Sequence, residues 1–139
     1  MFKQILLAAD GSVHSLRAAE KAVEIARYHR DSKIDVVYVI DGKTSKADVL
    51  HSWNSMEIER KRTDKMAAIV KLAERYNIPY EIKLLRGDPG PVIVKHANQN
   101  KYDMVVIGSR GLNIMQEMVL GSVSHKVAKR VNCPVLIVK

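Results

Sequence analysis

Cysteine occurs once, at Cys133. That scarcity excludes an intramolecular disulfide and any cysteine-rich metal site, and it suits a reducing compartment. Its neighbours Val131 and Pro134 suggest a packed small residue rather than a reactive thiol. No apolar run approaches the roughly 18 residues that cross a bilayer, and the stretch 5–9 is shorter than the h-region of a secretory signal. The expectation is a cytoplasmic protein with no membrane partner. Aromatic residues make up only 5% of the chain, too few for the stacking platforms that hold single-stranded nucleic acid. The five histidines, His14, His29, His51, His96 and His125, fall at no metal-ligand spacing, so a zinc site is not expected. Also missing are the Gly-x-x-x-x-Gly-Lys-Ser/Thr loop of P-loop ATPases and the Gly-x-Gly-x-x-Gly turn of dinucleotide folds.

What is present suits one compact domain over residues 1–139, long enough to bury a sizeable core. Hydrophobic residues at 47% and charged residues at 27% argue against disorder and against a fibrous architecture. A formal charge of +8 attracts anions in general, whether nucleotide, nucleic acid or acidic lipid, without choosing among them. Lysine and arginine are spread along the whole chain, which reads as a solvated basic surface rather than a nucleic-acid tail.

Five short runs rich in Val and Ile stand out: Gln4–Ala9 and residues 34–40, 80–85, 104–107 and 134–138. Most are continuous rather than alternating, as parallel strands covered on both faces require. Leu16, Ala19, Val23 and Ala26 recur at helical spacing behind Ser12, an N-cap type, and predict a helix over 13–30. Met66, Ile69, Val70 and Ala73 mark the later part of a second helix that stops before Asn77 and Pro79. Asp88-Pro89 predicts a third helix start, with the carboxylate capping free amides and the proline where no amide hydrogen is needed. That helix carries Val92, Ile93, His96 and Ala97. Val119, Val123, Val127 and Val131 form the stripe of a fourth, whose first turn lies near Leu120 or Ser122. Residues 41–50 are polar and support no element. Alternating strands and helices imply a doubly wound α/β domain with a parallel sheet and right-handed crossovers. Such sheets bind ligands beyond the carboxyl ends of their strands, which directs attention to the loops after strands 1, 2 and 4.

After strand 4 the chain reads Gly108-Ser109-Arg110-Gly111, nine further residues, then Gly121-Ser122 and a helix. Glycine allows close backbone approach and positive φ, both of which turn amides toward an anion. Ser122 adds a hydroxyl at a helix start whose free amides carry partial positive charge, and Arg110 adds a cation. The same residues also make an ordinary tight turn and an ordinary helix start, and their chemistry alone leaves both readings open. Glu117, the acid of the nine-residue connection, either holds Mg²⁺ through water or is an exposed loop glutamate. His125 reads as a solvated helical residue.

The pattern Gly-x-x-Gly, nine residues, Gly-Ser resembles the nucleotide motif of the universal stress protein family. The likeness extends to Ile5-Leu6-Leu7-Ala8-Ala9-Asp10-Gly11-Ser12, to Gly87-Asp88-Pro89, to Tyr102-Asp103-Met104-Val105-Val106-Ile107-Gly108 and to Cys133-Pro134-Val135-Leu136-Ile137-Val138, in the family's order and spacing. The resemblance implies a Rossmann-like open five-stranded sheet in the order 3-2-1-4-5, with helices on both faces and ATP at its carboxyl edge. It implies that Asp10 contacts the ribose hydroxyls, that Ala8 and Ala9 line the adenine pocket, and that Val39 faces the adenine with its backbone. Ile107 joins this set at the end of strand 4. Gly108, Arg110, Gly111, Gly121, Ser122 and Ser124 match the phosphate-side positions, with Val123 contributing backbone. From the residues alone, Asp10 serves equally as a cap for the first helix. Ala8 departs from the family's frequent proline or valine, whereas every motif glycine is kept, which places the chain with the ATP-binding branch.

The resemblance further implies a homodimer through Val135–Val138 and a nucleotide-dependent stress-response or regulatory role. It leaves open slow ATPase activity or self-phosphorylation on Ser109, Ser122 or Ser124. An adenylating enzyme of the adenine-nucleotide α-hydrolase type is the main alternative, but it would carry Ser-Gly-Gly-x-Asp-Ser where this chain has Ala8-Ala9-Asp10-Gly11-Ser12. A basic nucleic-acid module is the other, and its affinity would fall steeply with salt and ignore ATP.

Overall fold

The computed structural model describes residues 1–40, 55–111 and 120–139. Five strands pair in parallel throughout: β1 (Gln4–Ala9), β2 (Lys33–Ile40), β3 (Tyr80–Arg86), β4 (Met104–Gly108) and β5 (Val135–Val138). Their order is β3-β2-β1-β4-β5, the order implied by the family resemblance. The connecting helices are α1 (Val13–Arg27), α2 (Ser55–Arg75), α3 (Pro89–Gln99) and α4 (Ser122–Arg130).

The period-two geometry of a strand divides β1 between two cores. Ile5, Leu7 and Ala9 face α1 and α2, packing with Ala18, Ala22, Ile69 and Ala73. Leu6 and Ala8 face the other layer, with Val37, Val105, Ile107, Ile93 of α3 and Val127 of α4. Burial on both faces explains why β1 and β4 read as unbroken apolar runs. Strand β3, at the edge, departs from that pattern: Glu81, Ile82, Leu84 and Arg86 are exposed.

Several boundaries differ from the sequence pattern for local reasons. Helix α1 stops at Arg27 rather than at 30, because Tyr28 and His29 bond back to Ile25 and Ala26 in a tightened last turn. The chain then turns at Asp31, whose φ is 63°. Asp88 is the N-cap of α3 and Pro89 opens the helix, but the Asp88 carboxylate makes no capping hydrogen bond. Val131 is the C-cap of α4 and not part of it. Val119, Glu117 and the irregular region 41–50 lie outside the described residues.

Candidate functional site

Strand β1 has β2 on one side and β4 on the other, so the crossovers leave it in opposite directions. That reversal opens a crevice at the carboxyl edge of the sheet. A cavity of about 300 Å³ lies there, within the range of small-molecule sites. Strand β1 and its exit supply Ala8, Ala9 and Asp10, while Val39 comes from β2. Ile107 and Gly108 end β4, and Arg110 and Gly111 follow it. The fourth wall is Gly121, Ser122, Val123 and Ser124 at the start of α4. All twelve residues singled out from the sequence thus line one cavity.

Five more residues line it that the sequence did not single out as site residues: Ser15, Tyr38, Ile40, Pro89 and Ile93. Pro89 and Ile93 come from the start of α3, and the Gly87-Asp88-Pro89 segment was the signal that pointed there. Tyr38 and Ile40 sit on either side of Val39 at the carboxyl end of β2.

The helix N-termini around this cavity differ in how their free amides are satisfied. At α1, Ser12 accepts from the Ser15 amide at 3.1 Å. Asp10 accepts from the Ser12 amide at 2.8 Å, an Asx turn that bonds the cap residue rather than the helix itself. Ser12, not Asp10, therefore caps α1. Gly11 between them has φ 82°, a conformation that only glycine adopts without strain. At α4 the N-cap is Gly121, which has no side chain to bond the first-turn amides. Those amides and the positive end of the helix dipole face the cavity where Arg110 also lies.

The motif glycines serve ends other than the positive φ expected of them; Gly108, Gly111 and Gly121 are all outside the left-handed region. A Cβ on Gly108 would sit 2.8 Å from the His14 carbonyl carbon, so this glycine lets α1 close against β4. Among the described residues, a Cβ on Gly121 would meet nothing nearer than Arg110 Cα at 3.5 Å, an ordinary contact distance, so no clash requires glycine there. The Gly121 amide donates to Ser109 O at 2.8 Å and closes the loop between them. Ser124 is buried and its hydroxyl donates to Gly108 O at 2.7 Å. That bond ties α4 to β4 and takes the Ser124 proton from the phosphate-donor set. Ser122 remains exposed, while Ser109 is buried. No group of three His, Cys, Asp or Glu that could hold a metal occurs among the described residues.

The sequence profile of the universal stress protein family (Usp) matches residues 1–139. Universal stress protein MJ0531 of Methanocaldococcus jannaschii is 31% identical over 146 aligned residues, spanning 100% of this chain and 83% of that protein. The solved structure of the hypothetical protein MJ0577 superposes with a TM-score of 0.87 at 28% identity, covering 100% of this chain and 96% of the other. A universal stress protein solved in complex with cAMP superposes with a TM-score of 0.72 at 25% identity, covering 99% and 96%.

Proposed function

The chain belongs to the universal stress protein family, and on that premise we propose that it binds ATP or a related adenine nucleotide and acts as a nucleotide-dependent stress-response regulator. The observation that carries this reading is one cavity with two chemically distinct ends. One end is walled by Ala8, Ala9, Val39 and Ile107, apolar residues suited to a flat ring. The other is walled by Gly108, Arg110, Gly111 and the glycine-capped start of α4, a set of donors and positive charge suited to phosphates. Asp10 lines the same cavity, and this reading assigns its carboxylate to the ribose hydroxyls. The residues therefore fit the nucleotide. The family member bound to cAMP supports the adenine class of ligand.

In this reading Ser122 and the backbone of Val123 hold phosphate oxygens with Gly121, and Ser124 contributes its amide rather than its hydroxyl. Mg²⁺ accompanies the phosphates, held chiefly by their own oxygens and by water. The reading is one of binding; if slow self-phosphorylation occurs, exposed Ser122 is its acceptor, since Ser109 and Ser124 are buried. The protein works in the cytoplasm as a homodimer that associates through β5.

Chromatography of nucleotide released from freshly purified, denatured protein tests the reading directly, together with thermal unfolding in Mg-ATP. Nucleotide at a hundred times its dissociation constant should stabilise the fold by about 2.7 kcal/mol. Protein that releases no nucleotide and shows no thermal shift refutes it.

A further inference from the structure

We propose that Gly111 is a positioning residue for Asp10: the space left by its missing side chain holds the Asp10 carboxylate and thereby sets the ribose end of the site. The inference rests on the adenine-nucleotide reading above and assigns one of its glycines a different task. A Cβ built on Gly111 lies 2.6 Å from Asp10 Oδ2 and 3.8 Å from Asp10 Cγ. Chain neighbours apart, these are the only atoms of the described residues within 4 Å of it. The first distance is far inside the roughly 3.5 Å of ordinary non-bonded contact. A side chain here therefore collides with the proposed ribose acid and with nothing else described.

The other two motif glycines provide the contrast. Gly108 faces the backbone of His14, which cannot yield without moving α1, and Gly121 meets, among the described residues, only backbone atoms of Ser109, Arg110 and Gly111 at 3.5–3.7 Å, an ordinary contact distance. Gly111 faces the end of one side chain, and its own φ suits any residue. Alanine at 111 thus leaves the fold standing and transfers the whole conflict to Asp10. The carboxylate cannot swing aside freely, because its Oδ1 accepts from the Ser12 amide at 2.8 Å. Displacing Oδ2 forces that Asx turn to stretch or the carboxylate to leave its place. The loop after β4 and the ribose acid after β1 are in this way one mechanical unit.

The test compares ATP with 2′,3′-dideoxy-ATP, which keeps adenine and all three phosphates but has no ribose hydroxyls, by calorimetric titration of the full chain. The wild type should prefer ATP by about ten- to a hundredfold, the worth of one or two hydrogen bonds to a charged group. In Gly111→Ala, ATP affinity should fall to the dideoxy level while dideoxy-ATP binding changes by less than about twofold, well under the 1.4 kcal/mol of a tenfold effect. Adding G111A to Asp10→Ala should change neither nucleotide, because the atom it strikes is gone. Gly121→Ala, at the proposed phosphate end, should weaken both nucleotides alike.

A G111A protein that weakens both nucleotides equally, or neither, overturns the inference, as does one without a cooperative unfolding transition. Equal wild-type affinities for the two nucleotides also overturn it while leaving nucleotide binding intact. A wild type that binds neither nucleotide overturns the parent reading and this inference with it.

Discussion

A methyl group at position 108 would land 2.8 Å from the carbonyl carbon and the Cβ of His14 and 2.9 Å from its carbonyl oxygen. Backbone cannot rotate away as a side-chain end can, so Gly108→Ala should destabilise the fold by about 1–3 kcal/mol, the usual cost of overpacking. Gly121→Ala, with no atom of the described residues nearer than 3.5 Å and a φ of −67°, should change stability by less than about 0.5 kcal/mol. Urea unfolding of the two variants separates them. A Gly108 variant as stable as the wild type would mean that α1 does not need its close seat on β4. Residues of one type, spaced as one motif, therefore answer to different neighbours. Glycine was legible in the sequence at all three positions, but the reason for Gly108 and Gly111 was not, because the clashing atoms belong to His14 and Asp10, about a hundred residues away along the chain.

Between elements, the least expected feature is a polar cluster under α3. Asp35, midway along an apolar strand, is 5% exposed. It accepts from the Tyr102 hydroxyl at 2.7 Å and pairs with Lys83 at 3.2 Å and Lys33 at 3.4 Å; Lys33 also pairs with Glu81. His96 of α3 lies 3.0 Å from the Tyr102 oxygen, which it bonds through Nε2, and its other ring nitrogen faces the Asn100 amide. Burial alone would push the Asp35 carboxyl up, but the Tyr102 hydroxyl and the two ammonium groups outweigh it and hold the carboxyl below its ordinary value. Burial and then the Lys83 charge push His96 down from 6.5, while burial and Asp35 raise Tyr102 and keep it a donor.

Both lowered groups have one sign of linkage: the unfolded chain binds protons that the folded chain refuses, so stability falls on acidification. The His96 contribution is complete above about 6.5, its ordinary value, and is lost as pH falls through its folded value. The Asp35 contribution follows the same course below about 3.8. Thermal midpoints should therefore decline between pH 7 and 5, and His96→Asn should flatten that segment. A decline unchanged in the variant would assign it to other groups. Tying α3 to β2 and to the approach to β4, this cluster steadies the helix whose Pro89 and Ile93 line the cavity.

For the molecule as a whole, the sheet leaves two edges of opposite character. Strand β3 carries Glu81, Lys83 and Arg86 along its edge, charges that discourage pairing with another chain. Strand β5 is Val-Leu-Ile-Val, uncharged and only partly buried at every position. Association through β5 would cover that strand, and sedimentation equilibrium should return twice the chain mass. A monomer at all concentrations would show that the exposed strand is tolerated alone. The net charge of +8 acts at the same scale, drawing an anionic ligand toward the site at a rate that salt reduces.

Periodicity sufficed for the five strands, the alternation with helices and the parallel sheet, because burial on one or two faces leaves its mark in local spacing. Glycine spacing after β4 pointed to Gly108, Arg110, Gly111, Gly121 and Ser122, and resemblance supplied the strand order and the other cavity residues, since loops that meet in space keep their own short motifs. The rest belonged to the tertiary structure. The Asp35 cluster joins β2, β3, α3 and, through Tyr102, the turn before β4. Tyr38 and Ile40 line the cavity beside Val39, and Ser124 turns its hydroxyl to Gly108. Above all, the contact between Gly111 and Asp10 exists only when β4 lies beside β1. Local spacing encodes which face of an element is buried; which atoms then meet depends on packing between elements distant in the chain.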